Sequence, residues 1–156
     1  MFLRARSREA GLTLIELVVA TSILLVLATM ALPVTRMKIK RDKEIELRRA
    51  LRDMRSAVDR YKDASDRGLI EVKVDTEGYP PDLETLVNGV ELAGKPDRKV
   101  RFLRKIPVDP MTGRADWVLR CIQDPPDSRY WCGETVFDVS SRSYGTGLDG
   151  TRYQDW

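Results

Sequence analysis

Histidine is absent from this chain of 156 residues, and cysteine occurs only twice. Without histidine the chain cannot form a Ser-His-Asp or Cys-His catalytic group, nor a histidine-ligated zinc site. Two cysteines are too few for a cysteine-rich zinc site. The sequence also contains no phosphate-binding loop, so any ATP-driven work would fall to another protein.

A strong charge of one sign is also missing. About a third of the residues are charged, yet the formal net charge is only +3. That balance gives no case for nucleic-acid binding by charge alone. No internal repeat or low-complexity tract occurs, and the length suits one modest domain with an additional segment.

The two cysteines lie close together near the end of the chain. In an oxidising compartment, Cys121 and Cys132 suit one disulfide that closes a short loop. The alternative is two unrelated thiols.

One long apolar run follows a basic start. Arg4, Arg6 and Arg8 precede an uncharged stretch from Leu17 to Val34. A secretory signal peptide has a shorter apolar core and ends in a small-x-small cleavage site, which does not stand out here. A run of this length can cross ~30 Å of hydrocarbon as a helix. The sequence therefore predicts a single membrane span, and basic residues at both ends leave its orientation open.

Glu16 places a carboxylate at the edge of that run. A charged side chain at the centre of a membrane helix costs ~2.5–3.5 kcal/mol on insertion scales, and the cost is smaller near an end. Either the carboxylate reaches the headgroup layer, or it has a partner.

The segment GLTLIE, residues 11–16, resembles the cleavage motif of type IV pilins and pseudopilins. The resemblance implies that a prepilin peptidase cuts after Gly11 and that the new amine of Leu12 is methylated. Glu16 then becomes the fifth residue and would neutralise the amine of a neighbouring subunit in a filament. Leu12 departs from the commoner phenylalanine, and Pro33 falls where these proteins often carry a helix-bending proline.

Beyond the apolar run, charged residues surround one apolar stripe. Its members are spaced by four and three residues, which predicts one face of a helix: Leu47, Leu51, Met54, Val58 and Tyr61. We expect one helix from Leu12 to about Ala64, bent or loosened at Pro33, whose stripe packs on a head domain and on other subunits. Its basic residues alternate with acidic ones, which favours a solvated face over a nucleic-acid site.

The remainder of the chain predicts a small α+β head. GYPPDLETLVNG, residues 78–89, predicts a turn and a short helix that ends at Asn88-Gly89. Its expected inward residues are Leu83, Leu86 and Val87. Short strands are predicted at Val100–Leu103, Trp117–Ile122 and Val136–Val139. The expected fold is a long helix packed on a small antiparallel sheet.

The order of the segments in the head makes the resemblance to the pilin families more specific. A long helix, GYPPDLETLV, IPVDPMTG, FDV and a Gly/Asp-rich tail follow one another as in the major pseudopilin of type II secretion systems. Asp109, Pro110 and Gly113 match that family's segment before the first strand, which Trp117 would begin. The implied organisation is a leader at 1–11, a membrane helix at 12–35, an amphipathic helix at 36–66 and a periplasmic head at 67–156.

Major pseudopilins often bind calcium in the C-terminal loop. By that resemblance, Asp149 and Asp155 are the candidate carboxylates, with Ser143 and backbone oxygens completing a set of six to eight. The alternative is an Asp149-Gly150 turn and an Asp155 that caps or is solvated. No organic cofactor is implied.

The expected function is non-enzymatic. The resemblance implies an inner-membrane precursor that is cut, methylated and stacked into a periplasmic pseudopilus for protein export. Its partners would be other copies, minor pseudopilins, the prepilin peptidase, the inner-membrane assembly platform and membrane lipid, without nucleic acid. The alternatives are a minor pilin of a type IV pilus or DNA-uptake apparatus, and a membrane-anchored enzyme or sensor using Asp124 with Asp127 or Asp149 with Asp155.

Overall fold

The structure is a computed structural model that describes residues 11–72, 76–125 and 127–156, with the side chains of 30–34 and 96 left out of the description. The chain divides into two compact units, Met1–Ile39 and Lys40–Trp156. The divisions predicted from the sequence at residues 36 and 67 stay predictions.

Helix α1 runs from Leu14 to Asp66. Its expected start and end at Leu12 and about Ala64 are each within two residues of the observed ones. The helix ends where Gly68 adopts a positive φ of 65°, a conformation that glycine reaches without steric cost.

The side chain of Pro33, where a bend is predicted, lies outside the description, as do residues 1–10 of the leader predicted at 1–11. Within the part of the chain that the structure describes, no helix is both long enough and apolar enough to cross a membrane. The membrane span predicted for 12–35 therefore stays a prediction.

The second half of α1 carries the core of the head. The predicted stripe is buried along its whole length: Leu47, Leu51, Met54, Val58 and Tyr61. Leu86, Trp117 and Val139 pack into the same cluster. The helical spacing of the stripe is thus confirmed, and burial of its apolar area supplies the main stabilisation of the head.

Helix α2, Leu83–Asn88, forms where the sequence predicts it. Asp82 is the N-cap, since its carboxylate accepts hydrogen bonds from the Thr85 amide and hydroxyl, both at 2.6 Å. Leu83 and Leu86 are buried, whereas Val87 is only partly buried. Gly89 ends the helix with φ 84°, and a Cβ there would lie 2.8 Å from the Val100 carbonyl oxygen.

The strands form two antiparallel pairs instead of one sheet. Strand β1, Val90–Leu92, pairs with β2, Lys95–Val100. Strand β3, Trp117–Arg120, pairs with β4, Asp138–Ser141. A short 3-10 turn at Tyr153–Asp155 follows. The architecture is α+β, with a long N-terminal helix and small antiparallel strands.

Two predicted strands are misplaced. The expected strand Val100–Leu103 is wrong beyond Val100, because the amides of Phe102 and Leu103 both donate to the Leu86 carbonyl at 3.0 Å. The expected strand at Val136–Val139 begins only at Asp138, because the Val136 amide donates to the Pro80 carbonyl at 2.8 Å. These amides are thus satisfied by α2 and by the loop before it, and not by a strand ladder.

The expected strand at Trp117–Ile122 ends early, at Arg120. The Cys121 amide turns away from the ladder and donates to the Asp124 carboxylate at 2.7 Å. Before this strand, Asp109 is fully buried and accepts from the Met111 amide at 2.7 Å and the Ser141 hydroxyl at 2.6 Å. Its carboxylate therefore joins the preceding loop to β4.

Candidate processing and assembly site

The predicted cleavage point lies in an exposed, non-helical stretch just before α1. Gly11 is exposed, and a Cβ built on it meets nothing within 4 Å. Leu12 has 72% of its surface exposed. The peptide bond between these residues is therefore sterically accessible to a peptidase.

Glu16 lies in the first turn of α1, where it is exposed. Its amide donates to the Thr13 hydroxyl at 3.3 Å, so Thr13 acts as the N-cap. The Thr-x-x-Glu spacing is a capping-box signal, which reasoning from the cleavage motif alone missed. A carboxylate in the first turn is also favoured by the positive end of the helix dipole. Among the described residues, no cation forms an ion pair with this carboxylate.

The described side chains at 11–29 are all exposed, and most are apolar. The large ones are Leu12, Leu14, Ile15, Leu17, Val18, Val19, Ile23, Leu24, Leu25, Val26 and Leu27. Isolated soluble chains rarely present so continuous an apolar surface. This part of α1 therefore needs a covering partner, either lipid or other protein.

A buried glutamate that the sequence analysis missed holds the C-terminal segment on α1. Glu44 is only 8% exposed, and one of its carboxylate oxygens accepts from the Tyr153 hydroxyl at 2.9 Å and the Leu148 amide at 2.8 Å. Burial of the phenol, together with the hydrogen bond to Glu44, raises the pKa of Tyr153 to about 12. The sequence does contain a signal for the burial of Glu44. This residue precedes Leu47 by three positions and so lies on the same face of the helix as the apolar stripe.

The predicted metal ligand Asp149 already has partners in the structure. It accepts from the Thr151 hydroxyl at 2.6 Å and forms an ion pair with Arg48 at 2.8 Å. The Thr151 hydrogen bonds, followed by the Arg48 guanidinium, hold the pKa of this carboxyl below its usual value. Arg48 also stacks over the Trp156 ring, 3.9 Å from its centroid.

The other two predicted ligands are engaged locally as well. Asp155 pairs with Arg152 at 3.0 Å, and the Ser143 hydroxyl accepts from the Gly145 amide at 3.3 Å. Asp149 and Asp155 line one cavity of about 730 Å³, whose other charged residues are arginines. Within the described residues, no group of three or more acidic or cysteine side chains could hold a metal. Two carboxylates already neutralised by guanidinium groups do not fit calcium, which takes six to eight oxygens. Calcium binding here stays a prediction.

Cys121 and Cys132 form a disulfide with a Cα–Cα distance of 6.1 Å. It closes a loop in which Asp124 caps the Cys121 amide, the role of a turn former. Asp124, Asp149 and Asp155 are thus each bound to a backbone amide or an arginine.

Comparison with known proteins identifies the N-terminal segment. Residues 6–32 match the family model of the prokaryotic N-terminal methylation motif. The match supports a type IV pilin-like protein that is processed at its leader, methylated and anchored in a membrane. No curated protein matches the chain, and no solved structure does.

Proposed function

We propose that this chain is a structural subunit of a type II secretion pseudopilus. It would be cut after Gly11 by a prepilin peptidase, methylated on Leu12 and polymerised in the periplasm to drive protein export across the outer membrane. The observation that carries the proposal is the methylation motif at 6–32. Its described part includes the start of α1, where the large apolar side chains at 14–27 are exposed.

The exposed apolar part of α1 needs a covering environment both before and after assembly. Its apolar side chains suit lipid before assembly and the matching helices of other copies afterwards, since both environments remove them from water. The proposed partners are membrane lipid, the prepilin peptidase, the inner-membrane assembly platform, minor pseudopilins and further copies of this chain.

The order of head segments favours a pseudopilin over a minor pilin. Asp82, which follows Pro80 and Pro81, caps α2, and Asp109 ties a later loop to β4. These are the segments whose order resembles the major pseudopilin. The head would be periplasmic, where the Cys121–Cys132 disulfide is stable.

The first test is the mass of the N-terminal peptide from protein purified out of its native membranes. We expect a peptide that begins at Leu12 and carries one added methyl group. Gly11→Val is the matched variant, because a side chain at this position meets no neighbour, so loss of cleavage would report on the peptidase alone. A wild-type peptide that begins at Met1 or Phe2 would contradict the proposal.

The second test separates the charge of Glu16 from the capping of α1 by Thr13. Glu16→Ala and Glu16→Gln remove the charge, whereas Thr13→Val removes the cap and keeps the charge. We expect both Glu16 variants to insert and be processed but to assemble poorly, and Thr13→Val to assemble. Normal filaments from Glu16→Ala would remove the assembly role.

Deleting the gene should abolish protein export. Loss of twitching or transformation instead would indicate a minor pilin.

A further inference from the structure

We propose that neighbouring copies of this chain contact each other through two oppositely charged flanks of α1, with Arg52 of one copy facing Glu46 of the next. The inference rests on the proposed function, because it assumes that copies stack, and it adds the residues that select their arrangement.

The first flank is a row of arginines. Arg41, Arg48, Arg52 and Arg55 are spaced by seven, four and three residues, which places them on one side of the helix. The last three line the cavity of about 730 Å³ under the C-terminal segment. We call these four residues the arginine flank.

Within that flank, Arg41 and Arg52 have no acidic partner among the described residues, and Arg52 is the one of the two that lines the cavity. Arg48 pairs with Asp149 at 2.8 Å, and Arg55 pairs with Asp138 at 2.7 Å. Arg52 is exposed and forms no ion pair or hydrogen bond with any residue that the structure describes. Like charges four residues apart destabilise a helix, so Arg48 beside Arg52 carries a small cost that an external anion would relieve.

The second flank is acidic and lies across the buried stripe from the first. Asp42, Glu46 and Asp53 are spaced by four and seven residues and are exposed. None of the three pairs with a described cation, although Arg49 lies among them on the same side. Asp42 and Glu46 repel each other as a like-charged pair four residues apart. We call these three residues the acidic flank.

A second copy of the chain is the occupant that this pattern fits. The two flanks belong to the same helix segment, carry opposite charge and are separated by the buried stripe, so one copy cannot bring them together. A contact that joins two different patches is heterologous, and it continues from copy to copy instead of closing as a symmetric dimer does. Exposed ion pairs add little affinity each. Their contribution is to select register and orientation, while the apolar segment at 12–27 supplies the adhesion.

The test uses the full chain in its native membranes and measures the share of processed protein recovered in cross-linked multimers. Arg52→Glu should lower that share about five-fold, the effect of one exposed pair turned from attraction to repulsion. Adding Glu46→Lys to the same chain should restore it, because every contact regains opposite charges. Arg98→Glu on β2 makes the same charge change on an exposed residue of the head outside α1 and should leave the share unchanged.

The outcomes separate this inference from the proposed function. Normal multimers from Arg52→Glu, or a loss that Glu46→Lys does not restore, would overturn the flank contact while the filament role stands. Processed wild-type protein that forms no multimers would overturn both. If Arg52→Glu is not recovered as folded protein, Arg52→Gln replaces it, with an intermediate loss expected because it adds no repulsion.

Discussion

Replacing Glu44 by alanine is expected to release the C-terminal segment from α1 and to destabilise the head by about 3 kcal/mol. One oxygen of this buried carboxylate accepts from both the Tyr153 hydroxyl and the Leu148 amide. Hydrogen bonds to a charged group contribute about 1.5–3 kcal/mol each, and a buried donor left unpaired costs about 1–3 kcal/mol. The two bonds share one acceptor and are not additive, so the total lies near the value of one strong bond plus one unpaired donor.

Two further variants calibrate that magnitude. Glu44→Gln keeps an acceptor oxygen in the same place and loses only the charge, so about 1 kcal/mol is expected. Glu46→Ala removes an exposed glutamate two residues further along the helix and should change the free energy of unfolding by less than about 0.5 kcal/mol. Glu44→Ala should therefore destabilise the head most, Glu44→Gln less, and Glu46→Ala least.

The assay is urea unfolding of the detergent-solubilised full chain, followed by tryptophan fluorescence. With slopes of about 1–3 kcal/mol per molar urea, a loss of 3 kcal/mol moves the midpoint by roughly 1–3 M. The reasoning is refuted if Glu44→Ala unfolds within error of the wild type, or if Glu44→Gln is as damaging as Glu44→Ala.

Three further predictions concern the same head. Burial of the phenol and the hydrogen bond to Glu44 raise the pKa of Tyr153 from its ordinary 10.0 to about 12. The stabilisation from this shift is therefore complete below pH 10 and is lost as the pH rises towards 12, so the fall in the urea midpoint over this pH range should be smaller in Tyr153→Phe. The double change Cys121→Ser and Cys132→Ser should lower the free energy of unfolding by about 2–3 kcal/mol, because the bond closes a loop with a sequence separation of 11; an unchanged urea midpoint would contradict this. If Asp149 binds calcium, Arg48→Ala should bind it more tightly in titration calorimetry, because the competing cation is gone; no heat at millimolar calcium in either protein would remove the site.

Local patterns predicted the helices well. The apolar stripe of α1 repeats every three or four residues, and that spacing alone identifies the buried face. Helix α2 was predictable because Asp82 and Gly89 are end signals that act within one turn. Such signals need no knowledge of the rest of the chain.

The strand positions depend on partners distant in sequence, and that is where prediction failed. β2 has the sequence KPDRKV and lacks the apolar alternation of a half-buried strand, so nothing local indicates it. Phe102 and Leu103 look like strand residues, but their amides bond to the end of α2. The hydrogen bond between Glu44 and Tyr153 joins residues 109 apart in sequence, and no sequence pattern encodes it.

The first turn of α1 links the local structure to the proposed assembly. Thr13 caps the helix, so cleavage after Gly11 would place the new amine of Leu12 one residue before the cap. That positive charge would then lie beside the positive end of the helix dipole, which carries roughly +0.5 charge. Each processed subunit would thus have a surplus of positive charge at this end, and its own Glu16, in the first turn of the helix, offsets only part of it. In a filament, the carboxylate of a neighbouring Glu16 would pair with this amine in an apolar environment, where an unpaired charge is costly. The capping geometry therefore strengthens the need for a partner.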